Sequence, residues 1–313
     1  MKKITAFLSL SRWPNLLFFA LTQWMFLYCI INPIFSASHV EPNIHGVFAF
    51  LLVLSYVLVA AGGYIINDYF DLNIDQINKP NKVIIDTYIS RRWAIIFHLI
   101  FSFGSIGIGM YIDQQAHVHL LGLANFIYGL LLFIYSLSLK KKLLVGNLLI
   151  AFLLAWVIVV LTWCEANQFA LSIQHRLINT QKLLRYTILY AGFAFIINLI
   201  REVVKDMEDV EGDRRYGCRT MPIAWGINAS KVFVAVWLVV LIAILSLLQF
   251  YALQLHWWFF SLYCIIAIIA PLISAFKKLS IAQSPKEYHS ISILIKIVMF
   301  TGILSMVFFK IYG

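Results

Sequence analysis

Apolar runs of about 20 residues, the length that carries a helix across a hydrocarbon core of about 30 Å, recur along the whole chain with only short polar segments between them. Nine such runs can be drawn, at 13–33, 45–67, 93–112, 118–138, 146–165, 183–204, 230–252, 257–276 and 289–310. The expected fold is therefore all-α, a polytopic bundle of nine transmembrane helices capped by loops. No polar stretch is long enough to act as a linker, so residues 1–313 are read as a single integral-membrane domain. Lys2, Lys3 and Arg12 before the first run, and Ser36-Ala37-Ser38 after it, loosely resemble a signal peptide. The apolar stretch from Leu16 to Ile31 is too long for that, and many spans follow, so it is read as a first transmembrane helix.

Composition agrees with the pattern. The chain is 62% hydrophobic and 12% charged, with a mean hydropathy of +0.87, whereas a soluble domain carries about 25% charged residues. The net charge of +10 does not point to nucleic acid, because the basic residues stand in short blocks between spans. With the N-terminus inside, the inner segments collect Lys2, Lys3, Arg12, Lys79, Lys82, Arg91, Arg92, Lys140, Lys141, Lys142, Arg201, Lys205, Arg214, Arg215, Arg219, Lys231, Lys277, Lys278 and Lys286. The outer side keeps Arg176, Lys182, Arg185 and Lys310. That asymmetry sets an N-in, C-out topology and a multi-pass protein of the cell (inner) membrane. Cys29, Cys164, Cys218 and Cys264 are scattered without a CxxC and are read as ordinary thiols.

The chemistry concentrates in two copies of one acidic pattern. The chain has eight aspartates, and six of them form Asp68, Asp71, Asp75 and Asp206, Asp209, Asp213, each spaced D-x-x-D-x-x-x-D. At helical periodicity these positions share one face, so each triplet is expected to form a stripe of carboxylates. The topology puts both stripes on the cytoplasmic side, after the second and sixth spans. A carboxylate at the centre of a membrane helix costs roughly 2.5–3.5 kcal/mol, so matched acidic rows call for countercharge. Mg²⁺ takes oxygen ligands and shares them with substrate phosphates. The rows thus point to a carboxylate–metal–diphosphate arrangement with basic side chains completing the neutralisation.

Around these residues the sequence resembles the UbiA-type intramembrane prenyltransferases. Their NDxxDxxxD signature matches Asn67, Asp68, Asp71 and Asp75, and their DxxDxxxD signature matches Asp206, Asp209 and Asp213. Ile77-Asn78-Lys79-Pro80, Tyr135-Ser136, Lys140-Lys141, Gly146-Asn147 and Thr220-Met221-Pro222 extend the likeness. The stretch from Arg201 to Asp213 resembles the digeranylgeranylglyceryl phosphate synthase branch. The run Asn81-Lys82-Val83-Ile84-Ile85-Asp86 departs from it, lacking the Arg-Pro pair and glycine often found there.

The resemblance implies Mg²⁺-dependent transfer of a polyprenyl group, geranylgeranyl for this branch, from its diphosphate to a lipophilic acceptor. For the branch, that acceptor is the free glycerol hydroxyl of geranylgeranylglyceryl phosphate. Asp68, Asp71, Asp206 and Asp209 are then the principal metal carboxylates, with Asn67, Asp75 and Asp213 as further ligand candidates. Lys140 and Tyr135, followed by Arg201 and Lys205, are candidates for the diphosphate, and Arg12 and Asn15 for the acceptor. Quinone-type biosynthesis with an aromatic acceptor is the alternative within the enzyme class. A transporter is the alternative outside it, disfavoured because the acids stand at span ends. The expected partners are the two substrates and the bilayer, with no nucleic acid and no obligate protein partner.

Overall fold

A computed structural model describes residues 2–78, 83–166 and 179–312. Among them the only extended pairing is a single bridge between Ile85 and Ile89. Lys79, Pro80, Asn81, Lys82 and Arg176, named above, lie outside the described residues.

Helix α1 (Lys2–Leu10) precedes α2 (Trp13–Ser36), α3 (Gly46–Asn78), α4 (Arg91–Gln115), α5 (Leu121–Leu137) and α6 (Val145–Trp163). After these come α7 (Thr180–Glu208), the short α8 (Val210–Arg215) and α9 (Met221–Ala224), then α10 (Ile227–Gln254), α11 (Trp258–Ile281) and α12 (Pro285–Tyr312). Eight of these helices among the described residues are long and apolar enough to cross a membrane. The expected run at 118–138 folds as α5, an apolar helix of 17 residues, about 26 Å long at 1.5 Å per residue. Helices α2 and α11 each contain one wide π turn, Leu27–Ile31 and Ile265–Ile269. Each is followed at the second position by a proline, Pro33 or Pro271. Proline lacks an N–H and its ring crowds the carbonyl four residues back; opening the turn there accommodates both without ending the span.

The chain forms two compact units. The first comprises Met1–Lys140 and Trp156–Ile188. In it α4 and α5 pack as a close hairpin: a Cβ on Gly109 would lie 2.9 Å from the Gly122 Cα, so only glycine fits. Asp113 fixes the start of α5, its two carboxylate oxygens accepting the N–H groups of Leu121 (2.8 Å) and Gly122 (2.9 Å), two of the donors a helix N-terminus leaves open. The segment after α3 is held by apolar contact. Ile85 is buried with Leu10, Ile65, Leu72 and Ala94, so the Val83-Ile84-Ile85 run anchors this loop on α1, α3 and α4. At the other end of the unit Glu165 is completely buried. It accepts the backbone N–H groups of Asn43 (2.8 Å) and Ile44 (3.0 Å), while the Asn43 amide donates to the Cys164 carbonyl.

The second unit comprises Lys141–Ala155 and Leu189–Gly313. Tyr190 and Ser305 hydrogen-bond at 2.9 Å, and Gly302 leaves room for the Phe193 ring, which an added Cβ would meet at 2.7 Å. The Thr301 hydroxyl donates to the Ala267 carbonyl, inside the π turn of α11. Cys29, Cys164, Cys218 and Cys264 are all buried.

Two outcomes follow from these contacts. Gly109→Ala should lower the melting temperature in detergent, since overpacking of this kind costs about 1–3 kcal/mol. Gly107→Ala, where a Cβ meets nothing within 4 Å, should leave it unchanged or slightly raised. The second outcome concerns pH. Burial pushes the Glu165 carboxyl up to about 7, against its hydrogen bonds from Ile44 and Asn43. The folded state therefore holds this proton more tightly than the unfolded one. The resulting stability is complete below about pH 4.5 and is lost as pH rises through 7, a change of about 3 kcal/mol. Thermal melts from pH 5 to 8 should show this decline, and Glu165→Gln should flatten it.

Candidate active site

The first acidic row lies in the first unit. Helix α3 runs unbroken to Asn78, so Asp68, Asp71 and Asp75 lie along one side of a single helix, as their spacing predicts. Asp68 and Asp71 are largely buried, and each has taken a cation. Arg12 stands in the two-residue break between α1 and α2 with φ 51 and ψ 49, a left-handed conformation that costs an L-residue roughly 1–2 kcal/mol. Its Nη2 donates to Asp68 Oδ1 at 2.5 Å, and its guanidinium lies 5.2 Å from the centre of the Tyr64 ring. The Asp68 charge, with smaller help from Tyr64 and Asp75, raises the proton affinity of Arg12 above its ordinary value despite burial.

Asp71 is served from the turn that follows α5. Lys140 Nζ lies 2.6 Å from Asp71 Oδ1 and donates to Asn67 Oδ1 at 3.1 Å. The Asn67 amide in turn donates to Asp71 Oδ2 at 2.8 Å. Asn67, Asp71 and Lys140 thus form a closed triangle in which the asparagine orients the carboxylate and the lysine balances it. Asn15 lies in the first turn of α2, its backbone N–H bonded to the Arg12 carbonyl at 2.8 Å. Tyr135 is half-buried in the last turn of α5, five residues before Lys140.

The second row, in the second unit, does not form the single helical stripe that its spacing suggested. Helix α7 ends at Glu208, Asp209 takes φ −98 and ψ 9, and Asp213 belongs to α8. The helix dipole supplies a reason. Continuing α7 would place Glu208, Asp209, Glu211 and Asp213 near a negative C-terminal end, whereas restarting the helix at Val210 puts Glu211 and Asp213 in a first turn and Arg214 and Arg215 in a last one. A Schellman-type closure follows, with Gly217 at φ 70, its N–H on the Arg214 carbonyl and the Cys218 N–H on the Asp213 carbonyl. The Arg219 N–H then bonds the Lys141 carbonyl at 2.8 Å, joining two segments that the sequence marked separately.

Countercharge is distributed differently here. Asp206 Oδ2 accepts a hydrogen bond from the Asn147 side-chain amide at 2.8 Å. Arg201 and Lys205 are engaged elsewhere: both donate to Glu202 Oε1, at 3.1 and 2.8 Å. Asn147 and Glu202 were not singled out as site residues from the sequence. Asn147 carried two visible signals, its place in the Gly146-Asn147 pair of the family likeness and its being a polar residue that opens an otherwise apolar helix. Glu202 carried another, three residues before Lys205 and four before Asp206 on one helix.

Both clusters offer oxygen ligands that suit a hard divalent cation such as Mg²⁺. Among the described residues no three acidic, histidine or cysteine side chains converge on one point. Mg²⁺ is usually held by one or two carboxylates, with water and phosphate oxygens filling its octahedron. The residues present therefore fit such an ion when a phosphorylated substrate accompanies it.

Comparison with known proteins agrees with these features. The UbiA prenyltransferase family model matches residues 24–300. The digeranylgeranylglyceryl phosphate synthase of Methanosphaera stadtmanae is 33% identical over 252 residues, which span 80% of this chain and 83% of that one. The synthase of the same name from Methanothermobacter thermautotrophicus is 38% identical over 192 residues, 60% of each chain. Among solved structures, one described for digeranylgeranylglyceryl phosphate synthase in membranes has a TM-score of 0.59 at 21% identity, covering 98% of this chain and 99% of that one. A UbiA homologue from Archaeoglobus fulgidus, solved with DMAPP and Mg²⁺, has a TM-score of 0.58 at 17% identity, covering 96% and 98%. At these identities the structures speak for the fold. The sequence matches carry the assignment further: the chain belongs to the UbiA prenyltransferase family and is an enzyme that transfers prenyl groups.

Proposed function

We propose that this enzyme transfers a geranylgeranyl group from its diphosphate to the free glycerol hydroxyl of geranylgeranylglyceryl phosphate, with Mg²⁺ bound by the two acidic clusters. The observation that carries the reading is the Asn67–Asp71–Lys140 triangle, an oxygen-ligand set and a cation built together at the end of a membrane helix. Its relatives of 33% and 38% identity bear the name of that synthase.

In the reaction the allylic C–O bond of the donor breaks, diphosphate departs with the bonding electrons, and the acceptor oxygen forms the new bond to carbon. Its proton passes to water or to the departing diphosphate. Bound Mg²⁺ supplies the Lewis acidity that neutralises the diphosphate. In the first cluster Asp68 and Asp71, with Asn67, and in the second Asp206 and Asp209 would hold Mg²⁺; Asp75 and Asp213 stand at the distal ends of their rows. Lys140 would supply a positive charge to the leaving group. Tyr135 is assigned to the same diphosphate, and Arg12 and Asn15 to the acceptor side. With metal and substrate present, Lys140 would contact the diphosphate and Arg12 the acceptor, while Asn67 would keep Asp71 aligned.

The whole chain serves as one membrane domain in this reading. The 17-residue α5 completes a set of nine spans, with the N-terminus and both acidic clusters on the cytoplasmic side of the cell membrane and the C-terminus outside. The excess of basic residues in the inner segments supports that orientation.

Purified enzyme with Mg²⁺ and geranylgeranyl diphosphate should prenylate geranylgeranylglyceryl phosphate and leave hydroxybenzoate and naphthoate acceptors untouched; the reverse preference would refute the acceptor. Asp68→Ala and Asp206→Ala should each abolish turnover while the protein still inserts and elutes as wild type. Chelation by EDTA should stop the wild type reversibly. For topology, single cysteines placed at Ser9 and at Gly313 should be labelled by an impermeant maleimide from opposite sides of the membrane, Gly313 in intact cells. Labelling of both from one side would exclude the orientation.

A further inference from the structure

Each acidic row contains a carboxylate held by a neutral side-chain amide. In the first row that amide belongs to Asn67, on the same helix, which donates to Asp71 Oδ2 at 2.8 Å. In the second row the position before the first aspartate is Lys205, and the amide comes from another helix. Asn147, the third residue of α6, donates to Asp206 Oδ2, also at 2.8 Å. Asn147 is only 7% exposed, so water is a poor substitute for this bond. An amide on one carboxylate oxygen restrains the group from rotating and leaves the second oxygen for a cation. Being neutral, it does not compete with that cation.

The backbone around Asn147 is fastened to the same row. Leu144 takes φ 57, a left-handed conformation unfavourable for an L-residue, and its carbonyl accepts the Leu148 N–H at 2.9 Å as α6 begins. Just before it, the Lys141 carbonyl accepts the Arg219 N–H at 2.8 Å, and the neighbouring Cys218 N–H bonds the Asp213 carbonyl at 3.0 Å. The opening of α6 is therefore linked to the row at both ends, directly at Asp206 and through Arg219 and Cys218 at Asp213. Helix α7 stops at Glu208, so no continuous helix sets the geometry of this row, and the links to α6 supply a constraint in its place. A hydrogen-bond partner that orients a metal ligand raises the affinity of the site for its ion. Resting on the reading above in which Asp206 holds Mg²⁺, we infer that Asn147 is a positioning residue for prenyl transfer, its amide presetting the Asp206 carboxylate for the ion.

Asn147→Leu removes the donor at similar volume. It should raise the Mg²⁺ concentration needed for half-maximal turnover by about ten- to a hundredfold, the range typical of losing the partner of a metal ligand. Donor and acceptor KM at saturating Mg²⁺ should stay unchanged. Asn147→Ser, too short to reach Asp206, should behave alike and covers the case in which leucine prevents insertion; Asn147→Gln, which keeps an amide, should recover part of the loss. Calorimetric titration of the purified enzyme with Mg²⁺ in the presence of inorganic diphosphate should show the same weakening without turnover. Asn198→Leu is the comparison, because Asn198 is a buried amide on α7 that donates to the Ala194 carbonyl; its Mg²⁺ requirement should match wild type. Unchanged Mg²⁺ affinity in the Asn147 variants, or an equal loss in Asn198→Leu, would overturn the assignment. Wild-type turnover in Asp206→Ala would instead refute the metal reading, so the two fail separately.

Discussion

A carboxylate at the end of a membrane helix has to find its countercharge within the protein or from a ligand, because the surrounding medium supplies little. Most of what is distinctive in this chain answers that demand. In the first unit the answer is a direct ion pair for each of two aspartates, Arg12 for Asp68 and Lys140 for Asp71. In the second unit Asp206 receives the Asn147 amide, while the nearby cations are committed to Glu202. One acidic pattern, repeated in the sequence, is therefore hydrogen-bonded in two different ways.

The difference matters for chemistry. A carboxylate paired with a basic side chain keeps a cation at the same place as its oxygen ligands. A carboxylate held by a neutral amide has its orientation fixed. Supporting details serve these ends. Arg12 adopts a left-handed conformation in the break between α1 and α2, and the buried Leu10–Ile65–Leu72–Ile85 contact ties α1 to the same end of α3. The loop run Val83-Ile84-Ile85, a departure from the family pattern, thereby has a packing role of its own.

The remaining architecture keeps long helices continuous and close. Proline is absorbed in α2 and α11 by opening one turn, which preserves the span. Glycine at 109 and 122 lets α4 and α5 approach at backbone distance, and Asp113 satisfies the first N–H groups of α5. Each device removes a polar or steric penalty that lipid cannot relieve.

Much was legible in the sequence alone. The apolar runs gave the helices, because span length is set by bilayer thickness and not by neighbours. Spacing placed Asp68, Asp71 and Asp75 on one helix side, and the family motifs named the chemistry. The break at Asp209 was not legible: the D-x-x-D-x-x-x-D spacing is identical in both copies, and only the balance of charges against the end of α7 separates them. Nor could spacing show that Arg201 and Lys205 turn to Glu202. Helical periodicity fixes where a side chain leaves the backbone, whereas the partner it reaches depends on rotamer, burial and competing groups. Those are properties of the packed structure.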